Sequence, residues 1–375
     1  MANQVTVNVR NINAWLLVIL LVIMAFSLYS LFSVKSQFKE PTPAAPVHLA
    51  ALTVTVLTPP DCKDCFASSA LVSAIKQLPN VNVTENDVAY NSDEGKALIE
   101  EYKLTRAPAM VITGEIENVS IPSLNKTGDG LVFSATPPPY YDVAQKRIVG
   151  RVQVTFITDA TCKQCFNISE FGGQLKQVGV SISTTIAMDV SDNQAKLLLQ
   201  KYGITKVPAM LLSEDALLYD AVKQAWPQVG SQDIDGTLVL RTVSPPYKDL
   251  ATRQVRGLIG ITYLTDSSCP DCYNVSLHKL VLQQSFGANI GDEKSVDVTT
   301  SAGKALAQKY NLSLVPTVLL DKEAEAYAPL VQAWPQIGTH HADGVFTFDK
   351  VNLLGGVRYK NLATGEVLNS TEAEQ

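Results

Sequence analysis

Val152-Gln-Val-Thr-Phe-Ile157, then Cys162-Lys-Gln-Cys165, then Tyr202-Gly-Ile-Thr-Lys-Val-Pro208: these three phrases, in this order, decide how the chain is read. The first alternates with period two and is rich in β-branched and apolar residues, the pattern of a strand lying on a sheet. The same order stands on either side of it. Leu52-Thr-Val-Thr-Val-Leu57 precedes Cys62-Lys-Asp-Cys65 and Tyr102-Lys-Leu-Thr-Arg-Ala-Pro108. Ile259-Gly-Ile-Thr-Tyr-Leu264 precedes Cys269-Pro-Asp-Cys272 and Tyr310-Asn-Leu-Ser-Leu-Val-Pro316. From first cysteine to proline the distance is 46 residues (62 to 108, and 162 to 208) or 47 (269 to 316). A register kept so closely three times is a repeat of about 100–108 residues, and a unit of that size buries a core of its own.

Between these landmarks each unit shows helical patterns, such as Ala70-Leu-Val-Ser-Ala-Ile-Lys-Gln-Leu78 and Gln194-Ala-Lys-Leu-Leu-Leu-Gln-Lys-Tyr202. The unit ends also match. Pro246-Tyr-Lys-Asp-Leu-Ala-Thr252 parallels Arg358-Tyr-Lys-Asn-Leu-Ala-Thr364, with Pro139-Tyr-Tyr-Asp142 in the first unit. Units two and three share Gln-Ala-Trp-Pro-Gln around Trp226 and Trp334, which predicts a helix stopped by the proline and then a closing strand or hairpin. The apolar helical context of both tryptophans favours packing in the core over a place on a substrate rim. The expected fold is α/β: three tandem domains over 49–147, 148–254 and 255–369, each a mixed central sheet flanked by helices, with a tail at 370–375.

The chemistry lies in the cysteines. All six fall into the three vicinal pairs, and none is left over to staple one unit to another. That usage points to thiol chemistry rather than to a disulfide framework. A structural zinc site needs four ligands, and each unit offers two sulfurs. His340-His341 stands far from any pair, and His48 and His278 belong to no ligand-like cluster, so no metal is expected. With 46% hydrophobic and 18% charged residues the chain is a folded one, and a net charge of −6 with no basic stripe excludes nucleic acid as a partner.

Strand, Cys-x-x-Cys, helix, strand, helix, and a proline before the next strand: this order resembles the thioredoxin family over roughly residues 49–369, and Tyr202-Gly-Ile204 is close to the family's own wording. The family's tryptophan before the first cysteine is replaced by Asp61, Thr161 and Ser268, and the inner dipeptides are Lys-Asp, Lys-Gln and Pro-Asp. The resemblance implies that Pro108, Pro208 and Pro316 are cis and that Ala107-Pro108, Val207-Pro208 and Val315-Pro316 form substrate-binding loops facing the cysteines. It also implies that each pair opens a helix. A sulfur at a helix N-terminus gains thiolate character from the positive end of the dipole. Cys62, Cys162 and Cys269 are then attacking thiols, and Cys65, Cys165 and Cys272 one turn on resolve the mixed disulfide. Lys63 and Lys163 should favour thiolate and Asp271 should oppose it. Protein thiols and disulfides are the implied substrates. The sequence holds no flavin or quinone signature, so no cofactor is expected and a separate redox partner must exchange electrons with the sites.

Outside the units, Ala14–Val34 is uncharged and apolar, and at about 1.5 Å per residue it spans the roughly 30 Å hydrocarbon core. It is read as a single-pass transmembrane helix behind a short tail, 1–13. A spacer at 35–48 carries Pro41, Pro43 and Pro46, a composition that stiffens a linker. Asn-x-Ser/Thr sequons occur at Asn82, Asn118, Asn125, Asn167, Asn274, Asn311 and Asn369, whereas 18 asparagines would give about two or three by chance. The excess favours an extracytoplasmic, N-glycosylated body. Against the reading of a membrane-anchored thiol–disulfide oxidoreductase or isomerase stands a non-enzymatic scaffold or adhesion protein whose cysteine pairs are local structural disulfides.

Overall fold

The structure, a computed structural model, describes residues 48–118, 121 and 124–370. The N-terminal tail, the apolar segment 14–34, nearly all of the spacer and residues 371–375 lie outside the described residues. Among the described residues no helix is long and apolar enough to cross a membrane.

Three similar mixed sheets follow one another. In the first unit β1 (Ala50–Thr58) crosses through the helix Ser69–Lys76 to β2 (Val81–Ala89), then through the helix Asp93–Tyr102 to β3 (Arg106–Ala107) and β4 (Ala109–Gly114). β5 (Asn125–Thr127) and β6 (Gly130–Phe133) close the sheet, and β7 (Tyr140–Asp142) with β8 (Arg147–Val149) make a terminal hairpin. A helical crossover returns the chain in the same sense, so β1 and β2 pair parallel, while β4 joins the other edge of β1 antiparallel. The order is β2-β1-β4-β6-β5. In the second unit β9 (Val152–Thr158), β10 (Ile182–Asp189), β11 (Lys206–Val207), β12 (Ala209–Leu212), β13 (Gly230–Gln232) and β14 (Leu238–Leu240) give β10-β9-β12-β14-β13, with the hairpin β15 (Tyr247–Asp249) and β16 (Val255–Arg256). In the third, β17 (Leu258–Thr265), β18 (Asn289–Asp297), β19 (Leu314–Val315), β20 (Thr317–Leu320), β21 (Thr339–His340) and β22 (Phe346–Thr347) give β18-β17-β20-β22-β21, with the hairpin β23 (Arg358–Asn361) and β24 (Val367–Asn369).

The period-two strands bury one face along their length and the other toward their carboxyl ends. Leu52, Val54 and Val56 pack under the helix Ser69–Lys76, and Leu57 turns into the opposite cluster with Tyr102, Leu104 and Ala107. Each such side chain is worth roughly 1.5–3 kcal/mol when fully buried. The bonds before Pro108, Pro208 and Pro316 are cis.

The helix before each Trp-Pro departs from expectation in one unit. The helix Asp220–Val229 does not stop at its proline but runs through Pro227, which forgoes one backbone hydrogen bond near the helix end. In unit three the α-helix does end, at Ala333, and Trp334–Gln336 tightens into a 3-10 turn. In both units the helix is followed by closing strands, as expected. The strand β8 carries the first unit to Val149 and β16 carries the second to Arg256 by pairing in their hairpins. The glycines that directly follow these hairpins are Gly150 and Gly257. Gly150 (φ +87°) and Gly257 (φ +89°) each lie so close to a proline of the preceding Pro-Pro pair that an added Cβ would sit 2.4 Å from Pro138 or Pro245.

Both tryptophans are core residues, Trp226 donating its indole N–H to the Ser231 carbonyl at 3.2 Å and Trp334 to the Thr347 carbonyl at 3.1 Å. Trp334 packs edge-on to Phe346 and is 2% exposed. Trp334→Ala is expected to destabilise the third unit by about 3–5 kcal/mol. Amide hydrogen exchange resolved by peptide should show protection lost within 257–370 and kept in the other two units.

Candidate redox sites

All six cysteines are paired within their motifs, Cys62–Cys65, Cys162–Cys165 and Cys269–Cys272, with Cα atoms 5.3–5.4 Å apart. Each loop leaves the carboxyl end of its unit's first strand. The register there sets Leu57 opposite Ala109, Ile157 opposite Ala209 and Leu264 opposite Thr317, so the cis-prolines one residue earlier flank the same end of the sheet.

One expectation from the resemblance does not hold. The cysteines do not open the helices. The first helix begins at Ser69, the second at Ser169 and the third at Leu277, seven or eight residues after the first cysteine of each loop. The intervening backbone is claimed elsewhere: the Phe166 N–H donates to the Pro246 carbonyl at 2.7 Å and the Tyr273 N–H to the Arg358 carbonyl at 2.9 Å. A charge beyond the first turn gains little from the dipole, so helix-end activation of the thiols is not available in this geometry. Nor is the edge before each cis-proline open. Ala107 pairs with Tyr141, Val207 with Lys248 and Val315 with Lys360 of the unit's own terminal hairpin. Ala107, Val207 and Val315 are fully buried, and their prolines are buried with them.

The hairpin also supplies a cation beneath two of the loops. Lys248 Nζ lies 2.5 Å from Asp159 and 3.2 Å from the Thr161 hydroxyl. Lys360 lies 3.0 Å from Asp266 and 2.6 Å from the Ser268 hydroxyl. The carboxylates sit three residues before Cys162 and Cys269 and are 5% and 1% exposed. Burial alone would push both carboxyls up. The lysine beside each carboxylate and the hydrogen bond from the neighbouring hydroxyl outweigh it and hold both below the usual range. Asp266 Oδ2 has no well-aligned hydrogen bond despite its proximity to Lys360, so the ion pair alone compensates that atom. In the first unit Pro59 and Tyr141 occupy the equivalent positions, and Tyr141 packs on Tyr90 with ring centroids 4.4 Å apart.

Charges inside the loops are paired too. Asp271 accepts from Arg358 at 3.0 Å, and Asp64, at the matching position of the first loop, accepts from Arg151. The simple contrast between Lys63, Lys163 and Asp271 is thereby lost, since each acid meets an arginine. Five of the six sulfurs belong to half-buried residues and Cys269 is 5% exposed. The third unit adds a polar dyad absent from the sequence reading: the Tyr273 hydroxyl donates to the Pro316 carbonyl at 2.9 Å and meets His278 Nε2 at 3.0 Å. Burial depresses His278 to about 4 and raises the Tyr273 phenol. The exchange of Phe166 for Tyr273 between aligned units was the legible sign of it.

His340 stacks on Phe346 and meets Glu325, while His341 meets Thr347 and Tyr310, so the paired histidines serve packing. The sequon asparagines 82, 125, 167, 274, 311 and 369 are exposed, and the Asn118 side chain lies outside the described residues. Asn167 and Asn274 each accept from the N–H and the hydroxyl of the serine two residues on, a local turn that leads into the helix.

No family model matches the chain and no curated protein matches it. Among solved structures the chain is similar to ERdj5 at 12% identity, covering 76% of this chain and 40% of that longer one, with a TM-score of 0.15. It is similar to the NTD_N/C domain of alkylhydroperoxide reductase AhpF of Enterococcus faecalis at 17% identity, over 44% and 83%, with a TM-score of 0.15. Human ERp44 is similar at 11% identity, over 73% and 78%, with a TM-score of 0.14. Superpositions this poor carry no argument. The three matching sheets are evidence from the chain itself.

Replacing Lys248 by Met leaves Asp159 charged and buried, and breaking such a pair from one side costs about 3–5 kcal/mol. The folded-state pKa of Asp159 is depressed, so its stabilising contribution is present above the unfolded value near 3.9 and falls away as pH drops through the folded value. Denaturant midpoints of Lys248→Met and parent should therefore differ most at pH 6–7 and converge below about pH 4.

Proposed function

We propose that this chain is a membrane-anchored thiol–disulfide oxidoreductase or isomerase working outside the cytoplasm. One observation carries the reading: three vicinal cysteine pairs, at equivalent ends of three similar sheets, each closed as a disulfide. A substrate thiolate attacks the sulfur of Cys62, Cys162 or Cys269, and the S–S bond breaks with Cys65, Cys165 or Cys272 leaving as thiolate. A second substrate thiolate then attacks the substrate sulfur of the mixed disulfide and expels the first cysteine as thiolate. Two electrons pass to the protein, the substrate dithiol becomes a disulfide, and reversal reduces a substrate disulfide. A separate redox partner resets the pair.

Membrane attachment rests on Ala14–Val34, and the side of the membrane rests on the sequons and their exposure. The alternative, a scaffold with structural local disulfides, is favoured by the buried Cys269 and by hairpins that already occupy the strand edge beside each cis-proline.

The full chain in detergent is tested for insulin reduction, parent against Cys62→Ser, Cys162→Ser and Cys269→Ser singly and together. A losing series with the triple variant inactive supports the enzyme. An inactive parent whose disulfides resist dithiothreitol establishes the scaffold. Expressed in a eukaryotic secretory pathway, the chain should shift to lower apparent mass on treatment with an N-glycosidase; an unchanged mobility removes the argument for sidedness.

A further inference from the structure

The first cysteine pair is finished by a residue of the second unit. Arg151 follows the seam glycine directly, and its guanidinium binds both Asp64 oxygens, Nε to Oδ2 at 3.1 Å and Nη2 to Oδ1. The same Nη2 lies 3.9 Å from Cys62 Sγ, and Asp64 Oδ1 lies 3.7 Å from that sulfur. Ser181, also from the second unit, reaches Asp64 Oδ2 at 3.4 Å.

Arg151 is not a free surface side chain at the end of a loose linker. The Gly150 N–H donates to Asp215 at 2.9 Å and its carbonyl accepts from the Tyr219 hydroxyl at 2.6 Å, while Arg147 grips the same Asp215. Tyr219 in turn accepts the Ser181 N–H at 3.0 Å. One acid and one phenol thus fix the N–H and the carbonyl of the glycine that directly precedes the arginine. A similar clamp stands at the next seam, where Glu323 takes the Gly257 N–H and Arg256, and the Tyr327 hydroxyl donates to the Gly257 carbonyl. Leu258 stands there in place of Arg151, and Gln164 in place of Asp64, so no cation crosses from the third unit to the second loop by this route. The device belongs to the first site.

Resting on the redox reading above, we infer that Arg151 is a positioning residue for the first site: it fixes and neutralises Asp64 beside the sulfur and stabilises Cys62 as thiolate when the pair is reduced. In the exchange, Cys62 is the sulfur expelled in the second step, and the electron pair of the breaking bond stays on it beside the guanidinium. A fixed cation at that distance lowers the energy of the thiolate without touching the substrate. The charged groups around Cys62 are Asp61, Lys63 and Asp64 on its own loop and Arg151 across the seam, and the Tyr219 phenol feels the charge of Asp64.

The test uses the full chain with Cys162, Cys165, Cys269 and Cys272 changed to Ser, reduced, with the rate of Cys62 alkylation by iodoacetamide followed against pH. Arg151→Gln should raise the midpoint by about one unit, a tenfold loss of thiolate below it, and Arg151→Lys should restore part of the shift. Asp64→Asn should lower the midpoint, and Asp64→Asn with Arg151→Gln should raise it relative to Asp64→Asn alone. Arg147→Gln, which weakens the same seam away from the sulfur, should leave it in place. If Arg151→Gln keeps the parent midpoint, or Arg147→Gln moves it equally, the inference is overturned. If Cys62 of the reduced parent resists alkylation at every pH, it is the redox reading itself that fails.

Discussion

A strand inside a sheet must have its backbone groups satisfied by its neighbours, so each unit depends on its first strand finding hydrogen-bond partners along both edges. β1, β9 and β17 do so in the same way, with a parallel neighbour reached by helical crossover on one side and an antiparallel neighbour after the cis-proline on the other. This double pairing fixes where the first strand ends. Since the cysteine loop begins there, it also fixes where the sulfurs stand relative to the proline. The constancy of the 46- or 47-residue interval reflects one physical requirement met three times.

On that shared frame the units diverge at a few positions that all face the cysteine loop. Beneath it, Pro59 with Tyr141 in the first unit becomes Asp159 with Lys248 and Asp266 with Lys360 in the others. Exchanging an aromatic contact for a buried ion pair alters the electrostatics near the sulfur while the backbone stays as it was, since both arrangements hold the hairpin against β3, β11 or β19. The third unit further replaces Phe166 by Tyr273 and gains a hydrogen bond to the cis-proline carbonyl. Three copies of one fold therefore present three different environments to the same pair of sulfurs.

The terminal hairpin is the element that most changes how the sites are understood. It covers the strand edge before each cis-proline, draws the residue after the second cysteine of units two and three away from the helix, and carries the lysine that compensates the buried acid. It then leads through β8 or β16 straight into the glycine seam. Whatever moves the hairpin must move the loop and the seam together, because they share backbone hydrogen bonds rather than side-chain contacts alone.

Strand, helix, the repeat and the cysteine pairs were legible in the sequence because they are local: period two in Leu52–Leu57, the vicinal spacing of Cys162 and Cys165, the recurring Tyr-to-Pro phrase. The core role of Trp226 and Trp334 was legible for the same reason, from the apolar helix that carries each. What the sequence could not show is which distant group meets each loop. Arg151 and Asp64 are 87 residues apart, as are Arg358 and Asp271, and nothing in either neighbourhood marks the partnership. The delayed helix starts were hidden likewise, since they follow from hydrogen bonds to Pro246 and Arg358 across the unit. Propensity and pattern act over a few residues and determined the elements; the pairing of charges and backbone groups across the fold is set by packing, and only the tertiary structure decided it.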